Sequence, residues 1–99
     1  MPRERLQCII TGCKRTQLRE KIVGEEWICH KHWQAGVPPR SPQRAVFRRF
    51  KRIVRRYGWT DERIYRGGRL WAWLKARCES AAAGDLDQRE IDRMFGWGD

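Results

Sequence analysis

The chain has 99 residues, the size of one small domain, and a formal charge of +10 at pH 7. A domain this small buries a modest core, so a bound metal ion would add to its stability. No run of about twenty apolar residues occurs, which predicts that the chain does not span a membrane. Residues 1–57 carry fifteen Lys and Arg against four acidic residues, whereas residues 58–99 carry seven against eight. We therefore expect the first part to contact a polyanion or an acidic surface.

Three of the four cysteines and both histidines lie between Cys8 and His32. Cys8 and Cys13 flank a short segment in which Gly12 permits a tight turn. Cys29 and His32 are three residues apart, which places them on one face of a helical turn. Two close pairs separated by fifteen residues are typical of a closed tetrahedral zinc site. We therefore predict one structural zinc ion bound by Cys8, Cys13, Cys29 and His32.

Other interpretations of these cysteines exist. Two disulfides or unconnected buried thiols are alternatives, but the N-terminal sequence MPRERLQ lacks the apolar run of a secretory signal. A reducing compartment, the cytoplasm, is therefore expected, and it disfavours disulfides. His30 is the alternative fourth ligand. In a helix that starts near Cys29, position 32 shares the ligand face, whereas position 30 points towards solvent or a phosphate.

The segment between the ligand pairs predicts a hairpin around Gly24, with short strands in QLREKIV and EEWIC. Their apolar members are Ile22, Val23, Trp27 and Ile28. A short helix from Cys29 to Ala35, ended by Gly36, is expected to follow.

This order of knuckle, hairpin and short helix resembles the small treble-clef zinc fingers common in bacteriophage proteins. The matching positions are Cys8, Gly12, Cys13, Ile28, Cys29 and His32, followed by the aromatic Trp33. The resemblance covers about residues 6–36, which we treat as a first unit, 1–36. Such fingers often occur in or beside DNA-processing proteins, including some His-Asn-His nucleases. The resemblance therefore implies a nucleic-acid setting and a phage or mobile-element origin.

A stiff Pro-Pro linker at residues 37–40 is expected to separate this unit from a helical region, residues 41–99. Its first helix, residues 42–57, has Ser41 as its cap and Pro42 at its first position. At 100° per residue, one face of this helix is apolar. That face comprises Val46, Phe47, Phe50, Ile53, Val54 and Tyr57.

The opposite face of helix 42–57 is basic and contains no acidic residue. It comprises Arg44, Arg48, Arg49, Lys51, Arg52, Arg55 and Arg56. Like charges four residues apart repel, so a helix selected only for solubility would mix signs. Arginine suits bidentate contacts to phosphate or guanine, which favours DNA or RNA binding. The alternatives are a solvated face, arginines paired with the acidic C-terminal helix, and an acidic protein partner.

Three further helices are predicted beyond Gly58. Asp61 to Arg66 would be a short helix capped by Thr60 and ended by Gly67-Gly68. Helix 69–83 has an apolar face, and its isolated cysteine, Cys78, is expected to be buried and inert. That face comprises Leu70, Trp71, Trp73, Leu74 and Cys78. Helix 86–95 is opened by Asp85, which forms a capping-box pattern with Gln88 three residues further on. Its predicted core face comprises Leu86, Ile91, Met94 and Phe95.

Tryptophan is abundant, with six in the chain. Trp71 and Trp73 are expected in the core, with base stacking or a partner surface as the alternative. Trp97, near the C-terminus, either folds back on the helices or forms an exposed anchor for a partner.

Groups suited to catalysis are scarce. A His-Asn-His nuclease needs histidines beyond a structural metal site, but this chain has no Asn and only His30 remains. No phosphate loop, nucleophile elbow or persuasive carboxylate pair is visible. The sequence therefore predicts no enzyme and no small-molecule substrate. It favours a mostly α, zinc-stabilised module that binds DNA or RNA. A phage-encoded inhibitor or adaptor that binds an acidic surface of a host protein is the alternative.

Overall fold

A computed structural model describes residues 3–22, 24–84 and 88–96. The chain is mostly helical, as the sequence predicts, and it has a small N-terminal hairpin at a position that differs from the predicted one. Its elements in order are β1 (Arg5–Gln7), β2 (Thr16–Leu18), a 3-10 turn (Arg19–Lys21), α1 (His30–Gly36), α2 (Pro42–Tyr57), α3 (Asp61–Ala83) and α4 (Gln88–Met94). Among the described helices, none combines the length and apolar character that crossing a bilayer requires.

The hairpin is formed by strands that flank the first cysteine pair. β1 and β2 are antiparallel, with Arg5 opposite Leu18, and the loop between them contains Cys8 and Cys13. The prediction of a hairpin around Gly24 is therefore wrong for the residues that the structure describes, and Val23 lies outside them. The reason is that β2 already pairs with β1, and the chain continues from β2 into the 3-10 turn. Residues 24–29 instead run past the loop between β1 and β2 in an irregular conformation.

Helix α1 packs closely against α3. Cys29 is its N-cap rather than its first residue, and Gly36 belongs to the helix rather than ending it. A Cβ on Gly36 would lie 2.5 Å from the Cys78 backbone nitrogen and Cα. Only glycine at this position allows the two backbones to approach so closely.

Helix α2 begins and ends where its cap signals predict. The Ser41 hydroxyl accepts a hydrogen bond from the Arg44 backbone N–H at 3.1 Å, and Gly58 follows the last turn. The first half of the apolar face, Val46, Phe47 and Phe50, packs against the core. The second half does not, because Ile53 and Tyr57 are exposed.

Helix α3 is continuous from Asp61 to Ala83, so the predicted break at Gly67-Gly68 is wrong. Each glycine lowers helix stability by about 1 kcal/mol relative to Ala, but packing of neighbouring turns overrides this. Gly67 also allows α2 to approach, because a Cβ there would lie 3.0 Å from the Phe50 ring. Gly84, in the left-handed conformation, ends the helix.

Helix α4 contributes less to the core than predicted. Ile91 is buried and Phe95 is half-buried, but Met94 is 78% exposed, so its assignment to the core face is wrong. The predicted start of this helix, with Asp85 and Leu86, lies outside the described residues.

The core lies along α3. The sequence correctly predicts the buried positions Leu70, Trp73, Leu74 and Cys78, with Trp71 packed at their edge. Burial raises the pKa of the Cys78 thiol to about 12, so it stays protonated at neutral pH. This agrees with an inert structural cysteine.

A buried ion pair links α3 to α4. Arg77 Nη1 donates to Asp92 Oδ1 at 2.7 Å, and the same oxygen accepts from Trp73 Nε1 at 2.7 Å. Arg77 Nε donates to the Gly36 carbonyl at 2.9 Å, which connects the pair to the end of α1. Gln43 of α2 reaches the other Asp92 oxygen at 3.2 Å. One carboxylate thus contacts side chains from α2 and α3.

We expect Asp92→Ala to lower the free energy of unfolding by about 3–5 kcal/mol, because it leaves the buried guanidinium without its carboxylate. Chemical denaturation of the metal-loaded protein measures this loss. Glu90→Ala, on the exposed side of the same helix, is the control and should change stability by at most about 0.5 kcal/mol. Equal effects of the two substitutions would contradict the assigned role of Asp92.

A second prediction concerns helix packing. Gly36→Ala should destabilise the protein by about 2 kcal/mol or more, because its new methyl group would meet backbone that cannot move aside. Gly68→Ala is the matched control: a Cβ there meets nothing within 4 Å. Since Gly68 lies inside α3, this control should raise stability by up to about 1 kcal/mol. Thermal and denaturant unfolding of both variants would test the opposite signs.

Candidate metal centre and basic helix face

Four side chains converge beside the hairpin: Cys8, Cys13, Cys29 and His32. Their ligand atoms all lie within 4.8 Å of one another, so they could hold one metal ion. Cys29 Sγ lies 3.1 Å from His32 Nδ1, and Cys8 Sγ lies 3.8 Å from the same nitrogen. A tetrahedral site with metal–sulfur bonds of about 2.3 Å has edges of about 3.8 Å. The cluster therefore has nearly the dimensions of a tetrahedral centre.

The cysteines are not joined by disulfides. All four are free, and the Sγ atoms of Cys13 and Cys29 lie 3.9 Å apart, far beyond the S–S bond length of about 2.05 Å. The disulfide alternative is thus not the arrangement that the structure contains.

The first cysteine pair is positioned by the turn between the strands. The Cys8 backbone N–H donates to the Arg15 carbonyl at 2.8 Å, and that of Cys13 donates to the Ile10 carbonyl at 3.0 Å. Gly12 has a φ of 86°, which an L side chain rarely adopts. The turn therefore brings both sulfurs to one side of the loop.

The second pair is positioned by the start of α1. The Cys29 backbone N–H donates to Cys8 Sγ at 3.2 Å, which connects the two pairs. His32 lies one turn into α1 and directs Nδ1 to the cluster, whereas His30 is exposed. The structure thus places position 32, rather than 30, at the site.

The pKa values of the two buried thiols, Cys8 and Cys29, shift in opposite directions. Burial raises the pKa of the Cys8 thiol. Burial also acts to raise the pKa of Cys29, but hydrogen bonds to its sulfur, first from the His32 backbone, outweigh this and lower it. Cys29 is therefore the thiol of this pair that ionises more readily. The thiolate is the form that binds a metal ion.

Glu26, in the segment that precedes Cys29, attaches that segment to α3. Glu26 accepts from Trp71 Nε1 at 2.9 Å and from Lys75 Nζ at 2.6 Å. The hydrogen bond from Lys75, followed by that from Trp71, lowers the pKa of Glu26. Glu26 was not predicted to have a role, since a lone surface carboxylate gives no signal in the sequence.

The basic face of α2 points to solvent. Six of its predicted cations are exposed: Arg48, Arg49, Lys51, Arg52, Arg55 and Arg56. Among the described residues, none of these six forms an ion pair with a carboxylate. The charges are therefore not neutralised by the acidic C-terminal part as far as the structure describes it.

Arg44 differs from the other six. It is half-buried, its guanidinium lies 5.4 Å from the centre of the Trp33 ring, and Nη2 donates to the Val37 carbonyl at 2.6 Å. These contacts fix α2 to the end of α1. Arg44 thus has a structural position, although the sequence grouped it with the outward arginines.

The tryptophans proposed as partner contacts have different surroundings. Trp73 is buried and bonded to Asp92, so it does not reach the surface. Trp71 is half-buried and stacks with Trp33 at 6.3 Å. Trp97 lies outside the described residues. Among the described residues, the exposed aromatic side chains are instead Tyr57, Trp59 and Tyr65, for which periodicity gave either a core assignment or none.

No protein-family model matches this chain, and no curated protein and no solved structure matches it either. No match therefore supports the resemblance to treble-clef fingers.

The choice of histidine gives a testable prediction. His32→Ala should abolish stoichiometric binding of Co²⁺, a probe whose visible absorption reports thiolate ligation, because it removes a ligand atom from the cluster. His30→Ala is the control and should retain one ion per chain. Native mass spectrometry with and without a chelator would count the bound ions. Loss of binding in the His30 variant alone would contradict the assignment.

Proposed function

We propose that this chain is a zinc-stabilised module that binds nucleic acid through the exposed cations of α2. The zinc assignment is supported by the donor set, three sulfurs and one imidazole nitrogen with tetrahedral spacing. Four protein ligands leave no open coordination position, so the ion would have a structural role. The ligand order, with a knuckle in a hairpin and the last pair at a helix start, supports a treble-clef-like finger of phage or mobile-element type.

The exposed cations of α2 carry the functional proposal. The six residues lie within three turns of one helix, so they present a dense positive surface. Phosphate contacts by such groups release counterions, which makes affinity strongly dependent on salt. If six groups contact phosphates, affinity for a duplex should fall by roughly 10³-fold between 50 and 200 mM salt.

The metal centre supports this surface indirectly. α1 carries a metal ligand and also Trp33, on which Phe47 of α2 packs at 5.0 Å. Arg44 reaches the same ring. Loss of the ion would therefore disturb the support on which α2 rests.

The inventory of titratable groups supports binding rather than catalysis. We also propose that the chain acts in the cytoplasm of a bacterial host.

A charge-reversal series would be less informative than neutral substitutions that keep a polar side chain. Arg48, Arg52 and Arg55 changed together to Gln should lower the slope of log affinity against log salt by about 2–3, since each lost phosphate contact contributes about 0.7–0.9. Fluorescence anisotropy with labelled DNA or RNA at several salt concentrations measures the slope.

The matched control removes the same charge elsewhere. Arg3, Lys21 and Arg93 are exposed and lie outside α2. Their combined change to Gln lowers the net charge by the same three units. An equal loss of slope in both triple variants would show that only net charge matters and would refute a defined contact face.

A second candidate function is binding to an acidic protein surface. It is favoured by a groove of about 700 Å³ between α2 and α3. Its apolar lining includes Val46, Phe50, Ile53, Leu70 and Phe95, and the charged residues Arg49, Arg66, Arg69 and Glu62 also line it. An acidic amphipathic helix would fit this composition. Retention of one specific protein from nuclease-treated host lysate, together with no affinity for DNA or RNA, would favour this candidate.

A further inference from the structure

The junction of α2 and α3 exposes three aromatic rings close together in sequence. Tyr57 is 62% exposed, Trp59 is 58% exposed and Tyr65 is 66% exposed. Ile53 and Ile64 are exposed beside them in the chain. We call the three rings the elbow aromatics. We take these rings, which lie close together in sequence at one junction, as the basis of a binding surface.

We propose that the ligand of this surface is a single strand of nucleic acid, whose bases stack on the elbow aromatics while its phosphates contact the arginines of α2. This inference depends on the proposed function and narrows its ligand class. Three arguments favour it. The rings are held in place by neighbouring side chains, the residues around them are basic, and a single strand exposes base faces that a duplex covers.

Two of the rings are held in place by their neighbours. The Trp59 ring meets Phe50 edge-on at 6.0 Å, and Phe50 is itself packed against the core. Two guanidinium groups lie near the Tyr57 ring, that of Arg56 at 5.5 Å and that of Arg63 at 5.7 Å from the ring centre. Arg63 also donates to the Gly58 carbonyl at 3.0 Å, which closes the junction. Binding of a base would therefore require little ordering of these side chains.

The junction is also strongly basic. Residues 52–69 contain six arginines against two acidic residues, Asp61 and Glu62. Glu62 is paired with Arg66 at 2.8 Å. Exposed rings in a stretch where arginines outnumber acidic residues are typical of single-strand binding surfaces, where each base offers a face for stacking.

A duplex explains the arginines but not the rings. In a double helix the base faces are covered by their neighbours, so exposed aromatic side chains gain nothing unless they unstack the strands. A single strand presents phosphates and uncovered bases together. The combination on this surface therefore fits a single strand better than a duplex.

The test compares single strands of equal charge and adds a duplex, which carries twice as many phosphates. The zinc-loaded full chain would be titrated with a twelve-residue thymidine strand, the same-length strand of abasic sites, a twelve-base-pair duplex and a twelve-residue uridine strand. The thymidine strand should bind at least tenfold more tightly than the abasic strand, because only the former can stack. Comparable binding of the uridine strand would extend the ligand class to RNA, whereas a preference for thymidine would restrict it to DNA. Either result supports the proposal.

Substitutions assign the difference to particular rings. Trp59→Leu, Tyr57→Leu and Tyr65→Leu keep an apolar side chain but remove the ring. Loss of a ring that stacks should reduce thymidine-strand affinity by about fivefold or more and leave abasic binding unchanged. The corresponding Phe variants retain a ring and should restore affinity. Ile64→Ala, which removes exposed apolar surface without a ring, is the control and should have no effect.

The results that would overturn the inference differ from those that would overturn the proposed function. Failure to bind every strand and the duplex would refute both. Equal affinity for thymidine, abasic and duplex ligands would refute base stacking alone and leave phosphate binding intact. Binding of a twelve-residue polyglutamate as tightly as the thymidine strand would show that an acidic protein occupies the surface. Dimerisation in sedimentation experiments, abolished by the Leu variants, would show that a second copy covers it.

Discussion

The crossing of α1 and α3 at Gly36 and Cys78 is the constraint on which the rest of the structure depends. α1 begins at the metal cluster and carries one of its ligands, whereas α3 forms the main part of the core. Their backbones approach so closely that no side chain fits between them. Arg77 secures the same place by donating to the Gly36 carbonyl. The metal cluster and the helical region therefore form one structural unit rather than two independent modules.

Features specified by local chemistry could be predicted from the sequence. The four clustered ligands follow from the spacing of cysteine and histidine, because the turn at Gly12 and the start of a helix each bring two of them together. The bounds of α2 follow from its N-cap Ser41 and the glycine after its last residue. The buried face of α3 follows from helical periodicity. In each case the signal and the structure lie within a few residues of each other.

Features that depend on distant parts of the chain could not be predicted. Gly67 and Gly68 indicate a break, but Phe50 from α2 packs against that turn and α3 continues. The position of the hairpin depended on which segment β2 would pair with. Periodicity gave an apolar face for all of α2, yet helices cover only its first half. The exposed aromatic rings were missed for the same reason, since a pattern of apolar residues does not reveal whether anything packs on them.

The two adjacent glycines within α3 affect how its outer turns are oriented. They lie between the first turns of the helix, which carry Tyr65, and the later turns, which form the core. Glycine lowers the stability of a helix interior, so the intrinsic helix propensity of α3 is lowest at this point. Phe50 and Trp59 lie close beside Gly67, so packing against this turn compensates for the low propensity. The orientation of the outer turns of α3 therefore depends on α2 and on the junction as well as on the helix itself.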